Sequence, residues 1–345
     1  MRAVAVVQPG QVKLVDIPEP QPGPYEARIL TEAVYLCNAT DRKLIEGHFP
    51  GVDTYPLLLG HETVGIVDKV GAKVRSFKPG DRVIGGLLLS PTDPAYTSGW
   101  GGFSQYLLAG DHQAMLADGI ADAAHGWLEV YEIMRKVPDD ISMEAAGLLC
   151  TWREVYGAFS DFRLQAGDDI LVYGAGPVGL SFIKFARLLG LGYIAAVDIL
   201  PEKRTRAVQM GADEAFAPDD PDLVALNRRR GKTLDAVIDA VGRESIINAA
   251  LPLVRLGGSI CVYGVIDTPV IQLQKAGGPY NFNLLVHQWP TRRHEAAAQE
   301  PLCEWLRQGK LAHSEFLSAE YPVEKIQQAL EVSRAGQTIK TLLRF

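Results

Sequence analysis

The sequence predicts an α/β protein in which an open, doubly wound parallel sheet is inserted into a mostly β domain. Three observations carry this expectation. Residues 1 to about 110 read as short strands separated by Pro and Gly. From about 147 to 290 apolar strands alternate with helical segments, the mark of βαβ units and a parallel sheet. After Pro290 the chain adds a few helical and strand-like pieces that are expected to return to the first domain. The predicted division is therefore residues 1–147, completed by 291–345, and an inserted domain at 148–290.

In the first domain the strand candidates are residues 12–16, 27–33, 63–70, 82–85 and 103–108. Residues 114–134 have helical composition and include Trp127 and Tyr131, with His125 among them and His112 just before. They suggest a packed surface helix, a flap over a pocket, or a contact between subunits. In the inserted domain the strands are 170–173, 194–197, 236–239 and 259–263. The tail carries a helix with Trp305 and Leu306, a β-like piece near Phe316, a helix over 323–335 and a strand over 338–343.

The most specific motif is Ile170-Leu171-Val172-Tyr173-Gly174-Ala175-Gly176-Pro177-Val178-Gly179, an apolar strand running through G-x-G-x-x-G into a helix. Gly174 permits the tight turn, Gly176 the approach of a pyrophosphate, and Gly179 close packing of helix on strand. Pro177 and Val178 open the helix whose N-terminus would hold the phosphates. A second apolar strand ends at Asp198, where a ribose ligand is expected. These features predict a dinucleotide site, with NAD preferred because Asp198 accepts hydrogen bonds from ribose hydroxyls and repels a 2′-phosphate.

Composition narrows the remaining choices. A chain of 345 residues that is 47% hydrophobic and 22% charged can bury two sizeable cores. Its net charge of −7 supplies no basic field, so nucleic acid is a poor partner. No apolar run is long enough to span a membrane, and the apolar residues before Pro9-Gly10 are too few for a signal peptide. Cys37, Cys150, Cys261 and Cys303 are widely spaced, which argues against a disulfide framework and suits the cytoplasm.

Gly60-His61-Glu62-Thr63-Val64-Gly65-Ile66-Val67, then Val70-Gly71 and Lys78-Pro79-Gly80-Asp81-Arg82-Val83, resembles the zinc-type alcohol dehydrogenases of the medium-chain dehydrogenase/reductase superfamily. Gly101-Gly102-Phe103-Ser104-Gln105-Tyr106, Asp239-Ala240-Val241-Gly242 and Gly257-Gly258 extend the likeness over nearly the whole chain. The resemblance implies a GroES-like catalytic domain, an inserted Rossmann domain and a homo-oligomer, dimer or tetramer. It also implies Val241 as part of the cofactor site.

His61 and Cys150 are the best zinc ligands, since imidazole and thiolate suit zinc and three protein ligands leave a position open. Glu62 would be an alternate ligand or support one. In the family a cysteine stands three residues before the aspartate, but here Asn38 occupies that place and Cys37 comes one residue earlier. Cys37 is the expected third ligand because thiolate binds zinc well and a carboxamide poorly. Thr40 would stand beside the substrate oxygen or serve as a helix N-cap, with Asp41 next to it; Lys43 and His48 are candidates for the outer end of a proton relay. The spacing lacks the four clustered cysteines of a second, structural zinc. Trp100, Trp152 and Trp289 are candidate pocket walls.

The function expected is oxidoreduction of an alcohol or polyol with NAD and zinc, on a small-molecule substrate. A zinc-free carbonyl or enone reductase and a non-redox nucleotide-binding protein are the alternatives, separable by metal content and turnover.

Overall fold

The computed structural model describes every residue except 267 and 337. The chain divides into two compact units, Met1–Thr151 with Gln299–Phe345, and Trp152–Ala298. The expected limits, 147 and 290, fall short of these by a few residues. The first division lies inside the helix Met143–Asp161, and the short helix Arg292–Ala297 closes the inserted unit.

The first unit is built on two sheets. One has the order Gln11–Asp16, Arg2–Gln8, Leu57–Leu58, Thr97–Ser98. The other runs Leu317–Pro322, Lys340–Arg344, Glu26–Tyr35, Glu62–Val70, Arg82–Ile84, Arg135–Lys136. The long strand Glu26–Tyr35 organises it. Residues 26–30 pair with Tyr106–Gly110, while Ala33, Val34 and Tyr35 pair with the carboxyl-terminal strand, so the tail returns here. Val4, Val6, Val34, Leu36, Leu44, Phe103, Val323, Ile326 and Leu343 form one buried core of this unit.

Several expectations need correction. The strand foreseen at 103–108 is Tyr106–Gly110, and Arg2–Gln8 is a full strand with Ala3, Val4, Ala5 and Val6 all buried. Residues 114–134 are not one helix. The helix His112–Ala117 stops, Gly119 and Gly126 take left-handed backbone (φ 70° and 77°), and only short 3-10 turns follow at Ala123–His125 and Glu129–Ile133. The segment is anchored at the beginning of the strand Glu26–Tyr35: Asp111 N–H donates to the Tyr25 carbonyl, and Tyr131 hydroxyl to Glu26 at 3.2 Å. Its far end leads into Arg135, which pairs with Ile84, and the residue after Ile84, Gly85, donates to the Thr63 carbonyl at 3.1 Å.

The second unit is a six-stranded, all-parallel sheet in the order Glu214–Phe216, Ile194–Val197, Ile170–Tyr173, Leu234–Asp239, Val254–Val262, Asn283–Val286. Its strands Ile170–Tyr173 and Ile194–Val197 carry no charged residue and are buried throughout, as expected where helices cover both faces. The strand order reverses between Ile170–Tyr173 and Leu234–Asp239. Carboxyl ends at such a switch point diverge and leave a crevice for a ligand. The outer strands Glu214–Phe216 and Asn283–Val286, short and partly exposed, were not foreseen.

Candidate active site

The chemistry divides into two residue clusters, one in each unit. In the first, donor atoms of Cys37, His61 and Glu62 lie within 4.8 Å of one another, a set able to hold a metal ion. Local structure explains each position. Cys37 N–H donates to Asp41 Oδ2 at 2.8 Å and Asp41 N–H to the Cys37 carbonyl at 3.1 Å, coiling the chain into the helix Thr40–Glu46. His61 and Glu62 come from the start of the strand Glu62–Val70, which pairs with Glu26–Tyr35 at Tyr35↔Glu62.

Two buried polar atoms in this cluster have no hydrogen-bond partner, Asp41 Oδ1 and His61 Nδ1, 3.5 Å apart. His61 Nε2 faces the other way, 3.9 Å from Glu62 Oε1. A carboxylate on one imidazole nitrogen orients the ring and leaves the second nitrogen for a cation. Burial alone would lower the His61 pKa, yet Asp41 and Cys37 beside the ring outweigh it and raise it well above the usual histidine range. A thiol, an imidazole and a carboxylate gathered around buried orphan atoms fit a zinc ion by donor chemistry.

Cys150 is outside this trio. It is buried, with its thiol against the Thr63 carbonyl at 3.5 Å, one residue beyond Glu62. Glu62 itself is tied by both carboxylate oxygens to Lys340, and the pair is buried. Burial disfavours the charged lysine, but Glu62 and, more weakly, Cys37 and Asp41 raise its pKa. Sequence reasoning missed Lys340. It opens the terminal strand Lys340–Arg344, where the local pattern gives no sign of its partner. Asn38 accepts a hydrogen bond from Ser333 and is thus turned to a different element.

Thr40 is buried beside these groups but is not the N-cap, a position held by Ala39 without a side-chain bond. Lys43 lies in the last turn of the same helix, and His48 is 74% exposed beside Glu46. Trp100 packs against His61 with ring centroids 5.7 Å apart and against Phe49 at 5.3 Å, an apolar wall to which Phe49 was an unforeseen contributor. Trp100 holds a left-handed backbone (φ 69°), uncommon for a bulky residue. Trp152 is fully buried within the helix Met143–Asp161, while Trp289 is 36% exposed.

The second cluster lies at the carboxyl edge of the parallel sheet. Gly174 has φ 91°, and a Cβ on Gly179 would lie 1.7 Å from the Gly174 carbonyl oxygen, so the helix Pro177–Leu188 can start only from glycines. Gly176 is its N-cap, Pro177 begins it and Val178 follows in its first turn. A Cβ on Gly176 would meet nothing within 4 Å, leaving room for a phosphate at the helix N-terminus. Asp198 accepts from Ala175 N–H at 2.8 Å and Leu200 N–H at 2.9 Å, which fixes its carboxylate beside the glycine turn. Arg204 spends its guanidinium on the Asp198 and Ile199 carbonyls. Val241 is exposed next to Gly174, held there because Asp239 accepts from Val241, Gly242 and Arg243 N–H. Burial raises the Asp239 pKa against those three bonds. The cofactor residues expected from the sequence therefore share one edge, and Asp239 is the added residue that shapes it.

Comparison with known proteins agrees with this arrangement. Residues 23–118 match the family described as alcohol dehydrogenase GroES-like domain, and residues 177–286 match zinc-binding dehydrogenase. The NADP-dependent isopropanol dehydrogenase of Thermoanaerobacter brockii is 31% identical over 75% of this chain and 74% of its own. Sorbitol dehydrogenase of Bombyx mori is 25% identical over 96% and 95%. An alcohol dehydrogenase from Thermus sp. ATN1 superposes with a TM-score of 0.80 at 24% identity, covering 100% of this chain and 99% of that one. Among the described residues no helix is long and apolar enough to cross a membrane. The chain belongs to the zinc-type alcohol dehydrogenases of the medium-chain dehydrogenase/reductase superfamily.

Proposed function

We propose that this protein interconverts a small alcohol or polyol and its carbonyl partner, with zinc and NAD. The observation that carries the reading is the convergence of Cys37, His61 and Glu62 around the unpartnered atoms of Asp41 and His61. When bound, zinc supplies Lewis-acid polarisation of a substrate oxygen and the nicotinamide supplies the hydride acceptor. The chain's own residues do the rest. Cys37 and His61 would hold the metal with Cys150, whose thiol contacts the Thr63 carbonyl beside Glu62; Glu62, already tied to Lys340, is the exchangeable carboxylate. Asp41 orients His61, Thr40 borders the reacting oxygen and can pass its proton outward, and Trp100 with Phe49 exclude water.

Gly176 and the helix start behind it receive the pyrophosphate, and Asp198 receives the ribose. NAD is favoured over NADP because a fixed carboxylate repels a 2′-phosphate while Arg204 is committed to backbone carbonyls. Homo-oligomeric assembly is consistent with the open edge at Asn283–Val286, where Val286 is exposed. None of the four cysteines is in a disulfide, which suits the cytoplasm.

Elemental analysis and a screen over secondary alcohols, polyols and aldehydes test the reading. One zinc per chain is expected, lost in Cys37→Ala, His61→Ala and Cys150→Ala but retained in Glu62→Gln and Cys303→Ala. Full zinc in Cys150→Ala would make Glu62 the third ligand, and an active metal-free wild type would favour a zinc-free reductase. No turnover on any substrate would leave a non-redox nucleotide-binding protein. Higher catalytic efficiency with NADP would overturn the cofactor assignment.

A further inference from the structure

Cys37 joins His61 and Glu62 while its neighbour Asn38 does not, and the structure holds a device that accounts for this. The chain makes a single helical turn from Cys37 into the helix Thr40–Glu46, with Asp41 N–H bonded to the Cys37 carbonyl and Lys43 N–H to the Ala39 carbonyl, both at 3.1 Å. Neighbouring residues in such a turn differ by about 100° in direction. Cys37 and Asn38 therefore cannot both face the metal-binding trio. A turn of one residue's worth would exchange them and replace a thiolate by a carboxamide.

What fixes the choice is Asn38. Its side-chain oxygen accepts a hydrogen bond from the Ser333 hydroxyl, in the last turn of the helix Ile326–Arg334. That helix is rigidly seated, with Ile326, Ala329 and Leu330 buried in the same core as Leu36 and Leu44. The Asp41 carboxylate on the Cys37 amide closes the turn from within, and Ser333 holds it from outside. We propose that the Asn38–Ser333 hydrogen bond is a clasp that sets the rotation of the turn and presents the Cys37 thiol to the metal. Asn38 and Ser333 are thus positioning residues, acting through Cys37.

This inference rests on Cys37 being a metal ligand, and cobalt(II) separates the two ideas. Cobalt bound by thiolate has a charge-transfer absorption that reports the sulfur directly, and competition with a chelator gives the affinity. Ser333→Ala and Asn38→Ala are expected to bind cobalt about tenfold more weakly, the size seen when groups supporting a ligand are removed, with a diminished thiolate band. Ser333→Thr, which keeps the hydroxyl, and Asn38→Asp, which keeps the acceptor, should restore both. Thermal unfolding of the metal-free variants shows which have folded, and the two conservative variants stand in where alanine does not fold. If wild type has no thiolate band that Cys37→Ala removes, the reading of Cys37 fails. If it has one, and Ser333→Ala keeps wild-type band and affinity, only the clasp fails. Equal loss in Ser333→Ala and Ser333→Thr also overturns it.

Discussion

A methyl group on Gly179 would sit 1.7 Å from the Gly174 carbonyl oxygen, while the same group on Gly176 meets nothing within 4 Å. The two glycines look alike in the motif, yet one serves folding and the other serves ligand approach. Gly179→Ala is expected to cost about 3 kcal/mol or more, as overpacking against fixed backbone does. Gly176 has φ −77°, open to alanine, so Gly176→Ala should unfold like wild type within about 1 kcal/mol. Its NADH affinity should fall at least tenfold, measured by fluorescence titration. Equal affinities in Gly176→Ala and wild type would remove the phosphate from this position. At the same scale, the sequence made Cys37 a candidate by donor chemistry, but only the coiling of residues 37–41 reveals why Asn38 points elsewhere.

Elements of the second unit are pinned by a carboxylate at the start of its first strand. Asp169 accepts from Tyr193 N–H at 2.9 Å, Arg230 at 2.6 Å and Lys232 at 2.8 Å, joining two neighbouring strands to the loop before a third. Burial opposes its charge, but Lys232, the Tyr193 amide and Arg230 outweigh that and lower its pKa from 3.8 to about 2. A carboxylate depressed on folding stabilises the fold fully above its unfolded pKa, and that stabilisation is lost as pH falls through the folded value. Asp169→Asn should therefore cost about 1–2 kcal/mol at pH 7, the fuller figure reduced because Lys232 is exposed. The difference from wild type should narrow between pH 4 and pH 2 in urea unfolding. A constant difference across that range would mean that ionisation of Asp169 is not its source.

Element legibility follows from burial. Ile170–Tyr173 and Ile194–Val197 announce themselves whole, and Leu234–Asp239 and Val254–Val262 only in their buried later halves, because covered strands are apolar in runs. Glu214–Phe216 and Asn283–Val286 do not, since edge strands are short and half-wet and read as loop. The segment 114–134 misled through composition, because two left-handed glycines decide its path and alanine-rich stretches between them do not. Lys340 was hidden for the opposite reason: its partner Glu62 is 278 residues away, a pairing no local pattern encodes.

At the scale of the whole molecule, the metal-binding trio belongs to Met1–Thr151 with Gln299–Phe345, and the dinucleotide edge to Trp152–Ala298. Each ligand should therefore stabilise its own unit. NADH at a hundred times its dissociation constant adds about 2.7 kcal/mol to whatever it binds in the folded state. In hydrogen exchange, amides of Ile170–Tyr173 and Leu234–Asp239 should slow on adding NADH, while those of Glu26–Tyr35 respond to zinc instead. The division falls within Met143–Asp161, one continuous helix, so its amides should respond to both ligands. Equal slowing of all three strands by either ligand would show that the chain opens as one cooperative body, with its two units separate in geometry but not in energy.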